Sequence, residues 1–179
     1  MQGGFRFSEI EQCVPPSVPG VYQIRMIRGT KLKAGIGGDL LRRLKTHRAS
    51  RQSGLLLRLD GDWSNPSDVE SKASILAKHL YFDEVIAPGY DLKSETGRQQ
   101  FLEDCCVIDV QLTASRDEAR HIEADLEASG GFRYQGDVVQ RLAGEGESQE
   151  SSAVRTLVLA ALILLVVAII GVVWAARER

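Results

Sequence analysis

Tyr22, Lys33, Arg43 and His47 are the residues of this chain whose types and spacing could do chemistry. They lie in one run from Val18 to His47, VPGVYQIRMIRGTKLKAGIGGDLLRRLKTH, at successive steps of eleven, ten and four residues. The phenol and the imidazole can carry protons; the amine and the guanidinium can hold an anion. The four-residue step from Arg43 to His47 puts both on one face of a helix, a turn apart. Surrounding charge indicates the kind of anion. Residues 25–51 carry nine basic side chains against the single acid Asp39, a local charge of +8, in a chain of net charge −2. The remaining residues therefore sum to −10. A positive face on an otherwise acidic protein suits local binding of a polyanion. Composition alone is equally consistent with a solvated helix face.

The elements that must position these groups follow from pattern. Residues 21–28 alternate as a strand and residues 31–35 as a second, with Arg28-Gly29-Thr30 turning the hairpin. Gly37-Gly38-Asp39 opens a helix through about Ser50, with Leu40, Leu41 and Leu44 as its apolar stripe. Residues 55–59 read as a short strand. Asn65-Pro66-Ser67-Asp68 has the residues of a helix start and predicts a helix to about Leu80. Residues 84–87 read as a strand, 94–104 as a helix and 105–113 as a strand of valines and isoleucines. Ser115-Arg116-Asp117-Glu118 has capping-box spacing and opens a helix that Gly130-Gly131 ends. The mixture is α/β, or α+β if the sheet is mainly antiparallel.

The layout of the first run resembles the opening of the GIY-YIG endonuclease family. Gly20-Val21-Tyr22 stands for the first triplet, Lys33-Ala34-Gly35 for the second, and Arg43 for the helix arginine. The resemblance implies an α+β fold: a small three-stranded antiparallel sheet flanked by helices. It further implies a nuclease domain over 1–142, with its core at 18–52 and 105–142 and a helical insertion at about 53–104. In its light Tyr22 positions or deprotonates the attacking water, Arg43 contacts the scissile phosphate, and His47 assists in proton transfer or phosphate contact. Glu123, in DEARHIEADL, matches the family's metal-binding glutamate and would hold Mg²⁺ or Mn²⁺. Gln135 is the nearest equivalent of a downstream asparagine. Lys33 departs from the family's tyrosine; beside Tyr22 it would lower the phenol's pKa and preserve base chemistry. Arg42, Lys45, Arg48 and Arg51 would steer a nucleic-acid backbone.

Other residues carry less. Gly35-Ile36-Gly37-Gly38 lacks the lysine–serine/threonine pair of a nucleotide loop. Three cysteines, Cys13, Cys105 and Cys106, show no zinc spacing and suggest reduced, buried thiols. His79, inside KASILAKHLYF, reads as a core histidine, and His121 lies two residues from Glu123 and points away from it. Arg98 is a candidate for the basic face. Gly20 and Gly35 are read as points of close backbone approach beside a phosphate.

A second segment is unlike the rest. Residues 157–176, LVLAALILLVVAIIGVVWAA, hold no charge, and twenty helical residues span roughly 30 Å, the thickness of a bilayer's hydrocarbon core. Arg155 and Arg177 bracket them and Trp174 sits near one end. The expectation is a single transmembrane helix over 154–176 with a short tail at 177–179, joined by an acidic tether at 143–153 that reaches about 18 Å. No apolar signal opens the chain, so the globular part is expected in the cytoplasm. The combined expectation is a membrane-tethered, metal-dependent endonuclease acting on DNA more readily than RNA. The alternative is an inactive module of the same kind that binds nucleic acid or a protein partner at the membrane.

Overall fold

The structure, a computed structural model, describes residues 2–136 and Val138. The tether, the membrane helix and the tail expected over 143–179 lie outside the described residues. No helix among the described residues is long and apolar enough to cross a membrane.

In chain order the elements are β1 (Gln2–Arg6), a 3₁₀ turn, α1 (Ile10–Cys13), β2 (Gly20–Met26), β3 (Lys31–Gly37), α2 (Leu40–Ala49), β4 (Leu55–Leu57), β5 (Val69–Ser71), α3 (Ile75–Tyr81), α4 (Glu95–Cys105), β6 (Cys106–Leu112) and α5 (Arg116–Ala128). The fold is α+β. One four-stranded antiparallel sheet has the order β1-β6-β2-β3, and β4 and β5 form a separate two-stranded ribbon. Strands β6, β2 and β3 coincide with segments read from sequence. The fourth strand, β1, was not expected: QGGFR has two glycines and no alternation to announce it. It pairs with β6 across a bulge between Gly3 and Phe5.

Packing explains why these elements hold. Tyr22, Ile24 and Met26 from β2, Leu40 and Leu44 from α2, Leu76 and Leu80 from α3, Phe101 and Leu102 from α4 and Ile108 from β6 bury into one core. Phe5 and Phe7 close it from the N-terminal side. Helix α5 packs across β2 and β3, and α4 packs on β6 and α2. The amides of Arg133 and Tyr134 bond to the carbonyls of Lys31 and Leu32, covering the outer edge of β3.

Two expected elements are corrected. No helix starts at Asn65. Its Oδ1 accepts from the Ser67 amide at 3.0 Å and its Nδ2 donates to Asp68 at 3.0 Å, so the residues that resemble a cap close a turn instead. The chain continues as β5, and the helix begins only after Ser74, whose Oγ accepts from the Ala77 amide. Residues 84–87 form no strand. Asp83 is drawn inward by Arg133 Nη2 at 2.9 Å and the Tyr134 hydroxyl at 3.0 Å, and the chain turns again at Gly89, whose φ of +106° suits glycine.

Candidate active site

Strand pairing sets Tyr22 opposite Gly35. The tyrosine ring occupies the space that a side chain at 35 would need, since a Cβ there would lie 2.3 Å from Tyr22 Oη. Gly20 likewise lets the chain pass close to the Gln111 carbonyl and Leu40. These glycines serve packing around the phenol and helix rather than an approach to phosphate alone. Gly37 has a comparable part, because a Cβ there would lie 3.0 Å from Leu40 Cα and 3.1 Å from Arg43 Cβ. The missing side chain lets α2 start tight against the end of β3. Asp39 Oδ1 accepts from the Arg42 amide at 3.0 Å and caps that start.

Helix α2 then delivers two groups to Tyr22. His47 Nε2 lies 2.6 Å from Tyr22 Oη, and His47 Nδ1 lies 2.7 Å from Ser74 Oγ. His47 is only 1 % exposed, so it stands behind the phenol and does not line the cleft described below. Burial pushes its pKa well below 6.5, and the charges of Arg43 and Lys33 push the same way. The ring is therefore neutral, with one N–H and one lone pair. The tautomer with hydrogen on Nδ1 donates to Ser74 Oγ and leaves Nε2 to accept from the phenol.

Arg43 is the second group. Its Nη1 donates to the Ala73 carbonyl at 3.0 Å, while its buried Nε has no partner. The Tyr22 pKa is raised to about 12, first by burial; the nearby charge of Arg43 pulls it down. The expectation that Lys33 lowers it is corrected here. Lys33 stands opposite Ile24, and its own pKa is depressed by burial, against the upward pull of Glu127 and Glu123.

Glu123 enters from α5. Burial raises its pKa, Glu127 one turn further raises it again, and Lys33, Arg43 and Arg116 hold it down. Tyr22, Lys33, Arg43 and Glu123 line one open cleft of about 940 Å³. Arg42, Lys72 and Arg116 line it too. The cleft therefore presents five cations, a phenol and two carboxylates, the half-buried Glu123 and Asp39, which caps α2. The excess of positive charge suits a phosphodiester more than a neutral substrate.

The remaining expected residues fall elsewhere. Gln135 Nε2 lies 3.4 Å from the Glu127 carbonyl and does not reach the cleft. Arg48 is held by Glu11 at 2.8 Å and by the Phe7 carbonyl at 3.2 Å, so it braces α2 against the N-terminal segment. Lys45 meets the same Glu11 at 3.4 Å. Lys45 and Arg51 border a smaller neighbouring hollow. Arg98 is fully buried and bonds to Ser50, Gln52, Leu92 and Lys93, so it belongs to the interior and not to the basic face. His79 is buried and stacks on Tyr134 at 4.9 Å, as a core histidine. Cys106 is buried, Cys13 and Cys105 half-buried, and all are free thiols.

Sequence reading missed Lys72, Arg116 and Ser74. Arg116 sits inside the capping sequence of α5, and Ser74 directly precedes an apolar run, which is a cap signal. Nothing local could tell that Ser74 meets a histidine 27 residues earlier.

A divalent cation can be tested against these donors. Among the described residues, no three His, Cys, Asp or Glu side chains group into a cage. The Glu123 carboxylate, in a cleft otherwise rich in cations, fits Mg²⁺ or Mn²⁺, hard ions that commonly take one or two carboxylates together with waters and phosphates. Comparison of the chain with family models, with curated proteins and with solved structures returns no match.

Proposed function

We propose that the cleft hydrolyses phosphodiester bonds of DNA, with RNA as the second substrate, as a GIY-YIG-type endonuclease held at a membrane by residues 157–176. The observation that carries the reading is the convergence of Tyr22, Lys33, Arg43 and Glu123 on one cleft, with His47 bonded behind Tyr22.

Arg43 receives the scissile phosphate. Its side chain lines the cleft, and the fork of the guanidinium suits two phosphate oxygens at once. Lys33 adds charge where the phosphorane-like state gains it. A water beside Tyr22 Oη gives up a proton as its oxygen bonds to phosphorus. Because burial keeps Tyr22 protonated near neutral pH, the phenol cannot wait as a phenolate. It donates to the neutral His47 Nε2, whose opposite N–H Ser74 Oγ steadies, and so turns a lone pair of Oη toward the water and orients it. The water's proton ends on the displaced sugar oxygen as that oxygen's bond to phosphorus breaks. Glu123 would hold a divalent cation, which would supply positive charge for the developing negative charge of the transfer.

The test uses the full-length chain in detergent with supercoiled DNA and Mg²⁺ or Mn²⁺. Nicking is expected, and Tyr22→Phe, Arg43→Ala and Glu123→Gln should each lower the rate by about 10²–10³ while the protein still melts cooperatively. Lys33, in place of a second tyrosine, favours the other reading, a module that binds without cutting. Steeply salt-dependent DNA retention with no nicking by the wild type would establish that reading and end the hydrolytic one.

A further inference from the structure

Beside the cleft lies a second hollow of about 380 Å³, and the two share Arg42, Thr46 and Ala73 in their walls. The chemistry of the hollow differs from that of the cleft. Its wall is built from Ala49, Gly54, Ala73 and Ala77, side chains small enough to leave room for a flat body. Its rim carries Arg42, Lys45 and Arg51. Lys45 already meets Glu11. Arg42 and Arg51 form no ion pair among the described residues and remain available to an anion.

The two hydroxyls in the wall are engaged. Thr46 Oγ1 donates to the Arg42 carbonyl at 3.0 Å, and Ser74 Oγ is bonded to His47. The hollow therefore offers apolar contact and guanidinium planes, and little means of reading a base edge. A nucleotide matches each part: a planar base for the small-residue slot, a phosphate for Arg42 at the shared wall, and a guanidinium to stack on the exposed ring face. Bases inside a duplex are stacked and paired, so they cannot enter without being extruded. An unpaired nucleotide enters at least cost.

We propose that this hollow receives one unpaired nucleotide, base inward against Ala49, Ala73 and Ala77, immediately beside the scissile phosphate. The inference rests on the phosphodiester reading of the cleft and deepens it: the substrate is a nucleic acid with a bulged, flapped or single-stranded nucleotide at the cut. Selection among the four bases is weak, because apolar and stacking contacts tolerate every base.

The experiment compares two duplexes with the full-length chain in detergent. They differ only in whether a single 2-aminopurine is bulged or paired. Affinity is read by anisotropy, base environment by 2-aminopurine emission, and cutting by gel. The bulged duplex should bind at least tenfold tighter, with altered 2-aminopurine emission on binding. Ala49→Leu and Gly54→Val, which fill the hollow from two sides without entering the cleft, should reduce the preference to under twofold and leave paired-duplex affinity unchanged. Equal affinity for both duplexes, or a preference that survives both filled variants, overturns the proposal. Cutting without preference would remove the hollow and leave hydrolysis standing. A preference abolished by Ala49→Leu without any cutting would keep the hollow as a nucleotide site and remove hydrolysis.

Discussion

His47 links the stability of the fold to the chemistry of the cleft. In the unfolded chain it titrates at the ordinary value of 6.5; in the fold its pKa lies well below. Above 6.5 both states are neutral, so the full stability is present. As pH falls below 6.5 the unfolded chain gains a proton that the folded one refuses, and stability drops by up to about 1.4 kcal/mol per unit until the folded value is reached. Thermal melts at pH 7, 6 and 5 should show Tm declining, and His47→Gln should flatten that decline. An unchanged slope in the variant would place the acid sensitivity elsewhere. Glu123 acts in the opposite sense and in a lower window. Its folded pKa is raised from 4.5, so stability is lost as pH climbs through the carboxylate range. At this scale the groups that meet at the cleft, Tyr22, Lys33 and Arg43, were legible from type and spacing. Their ionisation was not. Spacing set Lys33 near Tyr22, whereas burial decided the phenol's pKa, and burial depends on α2, which comes later in the chain.

At the scale of elements, the hairpin works because one partner of the Tyr22–Gly35 pair has no side chain. Gly35→Ala puts a methyl 2.3 Å from Oη, and the ring cannot retreat because His47 stands behind it. Overpacking of this kind costs about 1–3 kcal/mol. Nicking should fall to the level of Tyr22→Phe with a reduced Tm, and wild-type nicking by Gly35→Ala would refute the positioning argument. Strands β2, β3 and β6 and helices α2, α4 and α5 were readable because period, caps and turn glycines agree there. The stretch before α3 was not, because asparagine, proline and aspartate serve a turn as well as a cap. Strand β1 is specified by its neighbour β6 more than by its own residues.

For the whole molecule, the segment 53–104 completes the core. Arg98 reaches from α4 to the end of α2, bonding Ser50 Oγ at 3.1 Å and the Ser50 carbonyl at 3.0 Å. Ser50 holds a left-handed turn with φ of 42°, and this strut secures it. Ser74 comes from the same segment. Sequence marks the stretch as a helical insertion and no more, because its contacts with α2 are long-range and leave no local pattern. Residues 157–176 predict a separate behaviour. The full-length protein should sediment with membranes through high-salt and carbonate washes, and Leu164→Arg with Val167→Arg should release it, since each central arginine costs about 2.5–3.5 kcal/mol on insertion. Release of the wild type by salt alone would rule out a span.

Chain order adds a last consequence. Tyr22, Arg43, Ser74 and Glu123 leave the ribosome in that sequence, and the carboxylate that would recruit the metal comes last, on α5. On the proposed reading, a nascent chain that ends before residue 123 lacks the group that would hold the metal and should leave uncut the messenger it is being read from.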